Sequence, residues 1–500
     1  MKKNGLVLLL VSLFFVSCFA PQQSQAMELD NKEFRAFWVD AFHDGFKTEK
    51  QVDQLLKDVE EANANAVIVQ IRRRGDAYFH KSLEPRTEDP SLQKNYDVLD
   101  DLINKAHAKG IEVHAWLATL PIWNSITPQK SQEHVFNQHG PKATGDDFWL
   151  MTDVNGANRS GSDYVLDPGH PDALDYTVDQ YVNVVKEYNV DGIHMDLARY
   201  MGTDWGYNPT SVKRFQKFYQ TNEIPKPNDD EWANWRREQI DQLVRKVYLK
   251  SIAIKPEVKV SCATIAWGEG PKSQEDYNNS RTMTEVYQDW QGWLQKEMID
   301  MAIPMNYDRD HIESQRRWYD EWIAFEKANQ FNRQIVAGPA AYLNSIDSTL
   351  AQTRRALAPD KEGRKLAGVS YYSYAVTDMN NEPRSAFIQA LVKGTNHETA
   401  IFPTKAAIPE MEWKSHPTTG YLMGEVFNKS GYRLGDTYLE IKGNKGFKTN
   451  VKTDGNGWFG LSSLKPGNYV VKFKNREHQS RTYPVKIKAG KVSDIKIKKK

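Results

Sequence analysis

The sequence predicts an α/β fold, a (β/α)₈ TIM barrel followed by a small all-β sandwich domain. Three observations carry this. Between Phe34 and Lys393, short apolar runs alternate with amphipathic helical segments, and the runs number eight. Runs that are apolar throughout and separated by helices describe a parallel sheet covered on both faces. The last 80 residues instead alternate apolar and polar positions between closely spaced turns. A doubly wound open sheet is the alternative, but no Gly-rich phosphate loop follows the first strand, so the barrel is preferred.

The first strand lies in FRAFWVDAF (34–42) and leads into the amphipathic helix QVDQLLKDVEEANA. NAVIVQIRRRGD (65–76) is the second, and the helix YDVLDDLINKAHAKG after it closes on Gly110, a helix stop. The third is IEVHAWLAT (111–119), followed by a long insertion from Leu120 to Asp163. YVLDPGHPD then opens a helix ending near Tyr188, and VDGIHMD is the fourth strand. The fifth to eighth are VKVSCATIAW (258–267), IDMAIPMNYD (299–308), QIVAGPAAYL (334–343) and LAGVSYYSYA (366–375). The barrel is assigned to 33–393, a linker to 394–419 and the sandwich to 420–500, with turns at Asp454-Gly455-Asn456-Gly457 and Lys465-Pro466-Gly467-Asn468.

Residues 1–26 read as a signal peptide: Lys2 and Lys3, an apolar run from Leu6 to Val16, and Ser24-Gln25-Ala26 before the cut. A secreted or envelope-associated protein is expected, and Cys18 leaves a lipoprotein route open. Cys262 is the only other cysteine, which excludes a disulfide within the mature chain and a cysteine-based metal site. No later stretch is long and apolar enough to cross a bilayer. Residues 421–500 hold 18 Lys and Arg against 6 Asp and Glu, a balance of +12, which leaves −11 for the rest of a chain whose net charge is +1. That asymmetry suggests an anionic cell-wall polymer as partner for the tail. No nucleic-acid-binding motif accompanies it.

In a barrel, function gathers where the strands end. Asp196 closes VDGIHMD, and a carboxylate ending a buried strand loses solvation unless it is used or paired. Carboxylates, arginines and aromatics recur at the other strand ends, which suits glycoside chemistry. One carboxylate attacks or stabilises an oxocarbenium-like centre, another protonates the leaving oxygen, and flat rings pack on sugar faces. The catalytic candidates are Asp196, as nucleophile or stabiliser, with Glu269 or Asp308 as acid/base. Candidates for substrate binding are Asp40, Arg72, Arg74, His114, Trp116, Arg199, Tyr200, Trp267, Asn306, Tyr307 and Tyr372. Each also has a structural reading: Asp40 as a cap, Arg72 and Arg74 as partners of nearby carboxylates, His114 as a core histidine, Glu269 as an exposed loop charge, Asp308 in a salt bridge. No cofactor is expected. A metal centre on His43, His114 and His194 lacks any established ligand spacing.

FRAFWVDAF, VIVQIRRRGDAYF, EVHAWL, YVLDPGHPD, VDGIHMD and IPMNYD, in that order, resemble the glycosyl-hydrolase-like barrel family of bacterial envelope proteins over residues 33–390. The resemblance implies a TIM barrel and hydrolysis of glycosidic bonds, in one branch those of peptidoglycan glycan strands. A non-catalytic carbohydrate-binding barrel is the alternative, because the seventh strand ends without a carboxylate. VDGIHMDLARYM is also similar to the α-amylase-clan segment ending in a nucleophilic aspartate, which maps onto Asp196, although His194 stands where that clan has arginine. Leu197 takes the place where the family often has a second acid. The tail resembles the carboxypeptidase-regulatory, transthyretin-like sandwich, a module that usually serves as spacer or attachment.

Overall fold

The computed structural model describes residues 31–473 and 482–498; the signal-peptide segment and Cys18 lie outside them. Eight parallel strands close a barrel: β1 (Phe34–Val39), β2 (Ala66–Arg72), β3 (Glu112–Ala118), β4 (Gly192–Asp196), β5 (Lys259–Ile265), β6 (Met301–Asn306), β7 (Gln334–Pro339) and β8 (Gly368–Tyr372). Each strand pairs with its sequence neighbours, and β1 pairs with β8 to close the ring. Helices such as Glu49–Glu61, Val98–His107 and Pro171–Glu187 pack outside, each started by chemistry the sequence supplies. Thr48 and Asp97 cap the first two through their side chains, and Pro171 opens the third.

Two apolar layers result. The larger lies between strands and helices and takes Phe37, Val67, Val69, Val113, Ile193 and Met195. The smaller fills the barrel itself with Phe34, Ala36, Trp38, Ile68, Trp116, Met301, Ile303 and Val336. Side chains two apart share a face, so Ala36 and Trp38 point inward while Phe37 points out.

The segment expected as a linker closes the bottom of the barrel. Met411 joins the interior cluster, Trp413 donates to Asp300 at 2.7 Å, and Lys414 pairs with the same carboxylate at 2.9 Å. Beyond it, β9 (Gly420–Phe427), β10 (Tyr438–Lys442), β11 (Lys448–Lys452), β12 (Trp458–Leu464), β13 (Gly467–Phe473), β14 (Tyr483–Ile487) and β15 (Val492–Lys498) form two sheets, ordered β12-β9-β15 and β11-β10-β13-β14. Their shared core includes Leu422, Val426, Leu439, Ile441, Phe459 and Val471. The tail packs on the 25-residue helix Asp230–Ile254, where Lys246 reaches Asp454 at 2.7 Å and Lys452 reaches Glu238 at 2.5 Å.

Candidate active site

A cavity of about 280 Å³ opens at the C-terminal end of the strands. Inward side chains of successive strands form its floor: Trp38, Gln70, Trp116, His194, Asp196, Ala263 and Met305. Its rim comes from the loops, with Phe42, Arg73, Arg74, Asp163, Leu197, Arg199, Tyr307, Tyr342 and Tyr372.

Asp196 ends β4 facing this space. One carboxylate oxygen accepts from the Trp116 indole at 3.2 Å, and the other from the Leu197 backbone N–H at 2.7 Å. Leu197 holds a left-handed backbone, φ +55°, which leucine rarely adopts. Its bond to Asp196 ties that strained turn to the carboxylate it orients. Burial pushes the Asp196 carboxyl above its ordinary range, and the Arg199 charge pulls it back down. The Arg199 guanidinium lies 5.2 Å above the Trp267 ring, with its Nε buried and unpartnered.

His194 sits one inward position below Asp196. Burial pushes it down to about 3, with the His114 charge acting the same way, so the ring is neutral at physiological pH. Its Nε2 accepts from the Trp38 indole at 3.1 Å, which leaves the proton on Nδ1, donated to Ser261 Oγ at 2.9 Å. This chain fixes the Trp38 indole at the cavity floor, as the bond to Asp196 fixes the Trp116 indole. Above them, Tyr307 and Tyr372 stack at 5.5 Å, a flat surface of the kind that packs against a sugar ring.

Asp163, at the end of the long insertion, is the second carboxylate among the described residues lining the cavity. Arg74 pairs with it at 3.3 Å. Sequence reading marked Asp163 only as a boundary, because nothing in an irregular insertion says which residue folds back over the mouth.

Of the residues expected at the site, the structure brings together Asp196, Arg74, Trp116, Arg199, Tyr307 and Tyr372. The others stand elsewhere. Glu269 is on the exposed loop after β5, 3.3 Å from Lys272, with Trp267 in the same surface groove. Asp308 faces away from the cavity: Tyr307 lines the cavity, and Asp308 lies near Glu326 of helix Glu313–Ala328, whose carboxylate accepts from Asn306 at 2.7 Å. Burial raises Asp308 to about 7 and Glu326 to about 8. Asn306 also accepts from Gly338 N–H, so it joins β6 to β7 and the helix layer. Tyr200 is fully buried beside Tyr287 and Arg236. Asp40 lies behind the rim, where one oxygen caps the backbone of Phe42 and His43 and meets the His43 ring at 2.8 Å; the other is buried without a partner.

Two corrections have one cause each. Arg72 leaves the cavity because β2 shifts register between Gln70 and Arg72, which breaks the inward alternation. Its guanidinium is held by Glu84 at 2.7 Å, and Arg73 lines the mouth in its place. His114 does point inward, but one step deeper than Trp116. It bonds Glu112 at 3.1 Å near the closed end, and its ring fills the space a side chain at Gly192 would need.

Comparison with known proteins places the fold in a family. Residues 33–342 match the Glycosyl hydrolase-like 10 family. The chain is 25% identical over 446 residues to Glycosyl hydrolase YngK of Bacillus subtilis (strain 168), covering 82% of this chain and 80% of YngK. It is 27% identical over 274 residues to Glycosyl hydrolase DigH of Escherichia coli (strain K12), covering 50% of this chain and 56% of DigH. The PgaB (BpsB) glycoside hydrolase domain from Bordetella bronchiseptica shares the fold, with a TM-score of 0.50 at 15% identity over 73% of this chain and 98% of that domain.

Proposed function

Because the chain belongs to the glycosyl hydrolase-like 10 family and is a glycoside hydrolase, we propose that it is exported and cleaves peptidoglycan glycan strands in the cell envelope. One observation carries the choice of substrate. Arg73 and Arg199 line the cavity beside Asp196, yet neither makes an ion pair among the described residues, and both have a buried, unpartnered Nε. Arginine held this way favours an anionic group on the ligand. A muramic acid residue freed of its peptide carries a lactyl carboxylate, which supplies that group.

The chemistry needs one carboxyl that donates a proton and one that stays ionised. Burial favours the protonated form of Asp196, which reverses the role expected from its strand position. Asp163, paired with Arg74 at 3.3 Å across the mouth, is the candidate for the second carboxylate. Asp196 gives its proton to the glycosidic oxygen as the bond to the anomeric carbon breaks. Water then adds to that carbon and a proton returns to the carboxylate. The stacked Tyr307 and Tyr372 rings and Trp116 hold the sugar. The +12 tail suits adhesion to anionic wall polymers, which salt would weaken.

The test is incubation with purified glycan strands, with and without peptide stems, followed by mass analysis of the products. Peptide-free strands are expected to be cut by the wild type and left intact by Asp196→Asn. Cleavage of neutral polysaccharides alone would overturn the substrate assignment.

A further inference from the structure

We propose that Trp267, which lies outside the catalytic cavity, is a positioning residue for it: the indole holds the Arg199 guanidinium at the cavity wall, where that cation acts on Asp196 and on anionic groups of the ligand. Trp267 lines the surface groove of Glu269 and Lys272, whereas Arg199 lines the cavity. The contact between them, 5.2 Å from the guanidinium carbon to the ring centroid, crosses the wall between the two spaces.

The ring is the one hold on that cation. Among the described residues the Arg199 guanidinium makes no hydrogen bond and no ion pair, and its Nε is buried without a partner. The backbones on either side are fixed. Tyr200 N–H donates to Val286 O at 3.0 Å just beyond Arg199, Ile265 N–H of β5 donates to Gln288 at 2.8 Å, and the Trp322 indole donates to Gly268 O at 2.9 Å beside Trp267. With the chain pinned and the guanidinium otherwise free, the direction of the Arg199 side chain is left to the indole. A guanidinium over an aromatic face is attracted by the ring quadrupole, more strongly where water is excluded. Arg281 packs on the same ring at 5.0 Å, and Glu285 holds Arg281 at 2.8 Å. The indole is thus engaged with cations rather than open to a sugar face.

Where Arg199 stands matters because Asp196 feels no other charge. Burial raises that carboxyl, and Arg199 is the only charged group acting on it among the described residues. The titratable groups around it stay neutral: burial pushes Cys262, Tyr181, Tyr307 and Tyr372 up, and His194 down to about 3. Moving the guanidinium away therefore raises the Asp196 pKa, in the same direction as deleting it. A displaced Arg199 also loses its grip on an anionic ligand. That second consequence rests on the muramate reading above, and the effect on Asp196 does not.

The test reads the Asp196 pKa directly, by NMR of isotope-labelled aspartate carboxyls in the full chain, with Asp196→Asn identifying the resonance; it needs no hydrolysis. Trp267→Leu and Arg199→Met should each raise that pKa by about one pH unit, and the two together by no more than either alone. Trp267→Phe should recover most of the change. Progressively fluorinated tryptophan in place of Trp267 keeps the ring's shape and drains charge from its face, so the pKa should climb stepwise along the series. This series also decides the matter if Trp267→Leu does not fold. Binding of peptide-free glycan strands should weaken about tenfold in Trp267→Leu, while N-acetylglucosamine oligomers bind as before. An Asp196 pKa that Arg199→Met moves and the Trp267 substitutions do not would overturn the proposal, as would one that Arg199→Met leaves in place. A raised pKa with unchanged strand binding, or with no cleavage by the wild type, would uphold the positioning role and sink the substrate or the catalytic reading instead.

Discussion

The two ends of the barrel interior hold similar side chains in opposite condition. At the closed end, Glu112 takes Lys259 at 2.6 Å and His114 at 3.1 Å, while Asp300 takes Trp413 and Lys414. At the mouth, among the described residues, Asp196 accepts from an indole and a backbone N–H, and Arg73 and Arg199 make no ion pair, although the Arg199 charge acts on Asp196 from a distance. The same residue types thus serve stability below and remain available to a ligand above. The difference lies in whether opposite charges meet each other, and residue identity alone does not reveal it.

The sharpest break of that comparison is a matched pair of variants. Asp196→Asn should lower kcat/KM by about 10³-fold with the melting temperature held or raised, since a buried carboxyl is removed. His114→Gln should do the reverse, leaving kcat/KM within about twofold while destabilising by about 1–3 kcal/mol. Equal losses of activity from both would erase the distinction between the two ends.

Glu112 sharpens the closed end. Burial alone would raise this carboxyl, but the His114 hydrogen bond and the Lys259 charge outweigh it and hold it at about 2, against an ordinary value of 4.5. A depressed carboxyl stabilises the fold above its unfolded pKa, and that stability disappears as pH falls through the folded one. Wild type and Glu112→Gln should therefore differ by up to about 3 kcal/mol at pH 7 and converge near pH 2 in acid denaturation curves.

At the mouth, Arg73→Gln should weaken binding of peptide-free muramate strands by about tenfold and spare neutral N-acetylglucosamine oligomers. Arg199→Met removes the charge that lowers the Asp196 pKa. If Asp196 is the proton donor, activity falls as it ionises, so the alkaline limb of the pH–rate profile should move to higher pH. A limb that stays in place or moves down would reassign the proton donor. The smallest effect belongs to Glu269→Gln, whose carboxylate is exposed and paired with Lys272; its rates should stay within about twofold.

Much of this could be read along the chain. Eight apolar runs separated by helices mark a covered parallel sheet whatever their exact ends, and all eight became barrel strands. Asp196, Trp116 and Tyr372 followed from the rule that function collects at strand ends. The misassigned residues share a physical cause. A barrel strand is buried on both faces, so MAIPMN shows no polar alternation that would tell the inward Met305 from the outward Asn306. Nor does RRR reveal that a register shift in β2 turns Arg72 outward and leaves Arg73 at the mouth.

The sequence by itself determined the architecture, because hydrophobic period and turn chemistry act locally and are written residue by residue. It also determined that a carboxylate would end the fourth strand. Which polar groups face the cavity, and which second carboxylate joins Asp196, was decided only in three dimensions. Those outcomes depend on barrel closure, on one shift of register and on where a long insertion folds back, and each is set by packing between segments far apart in the chain.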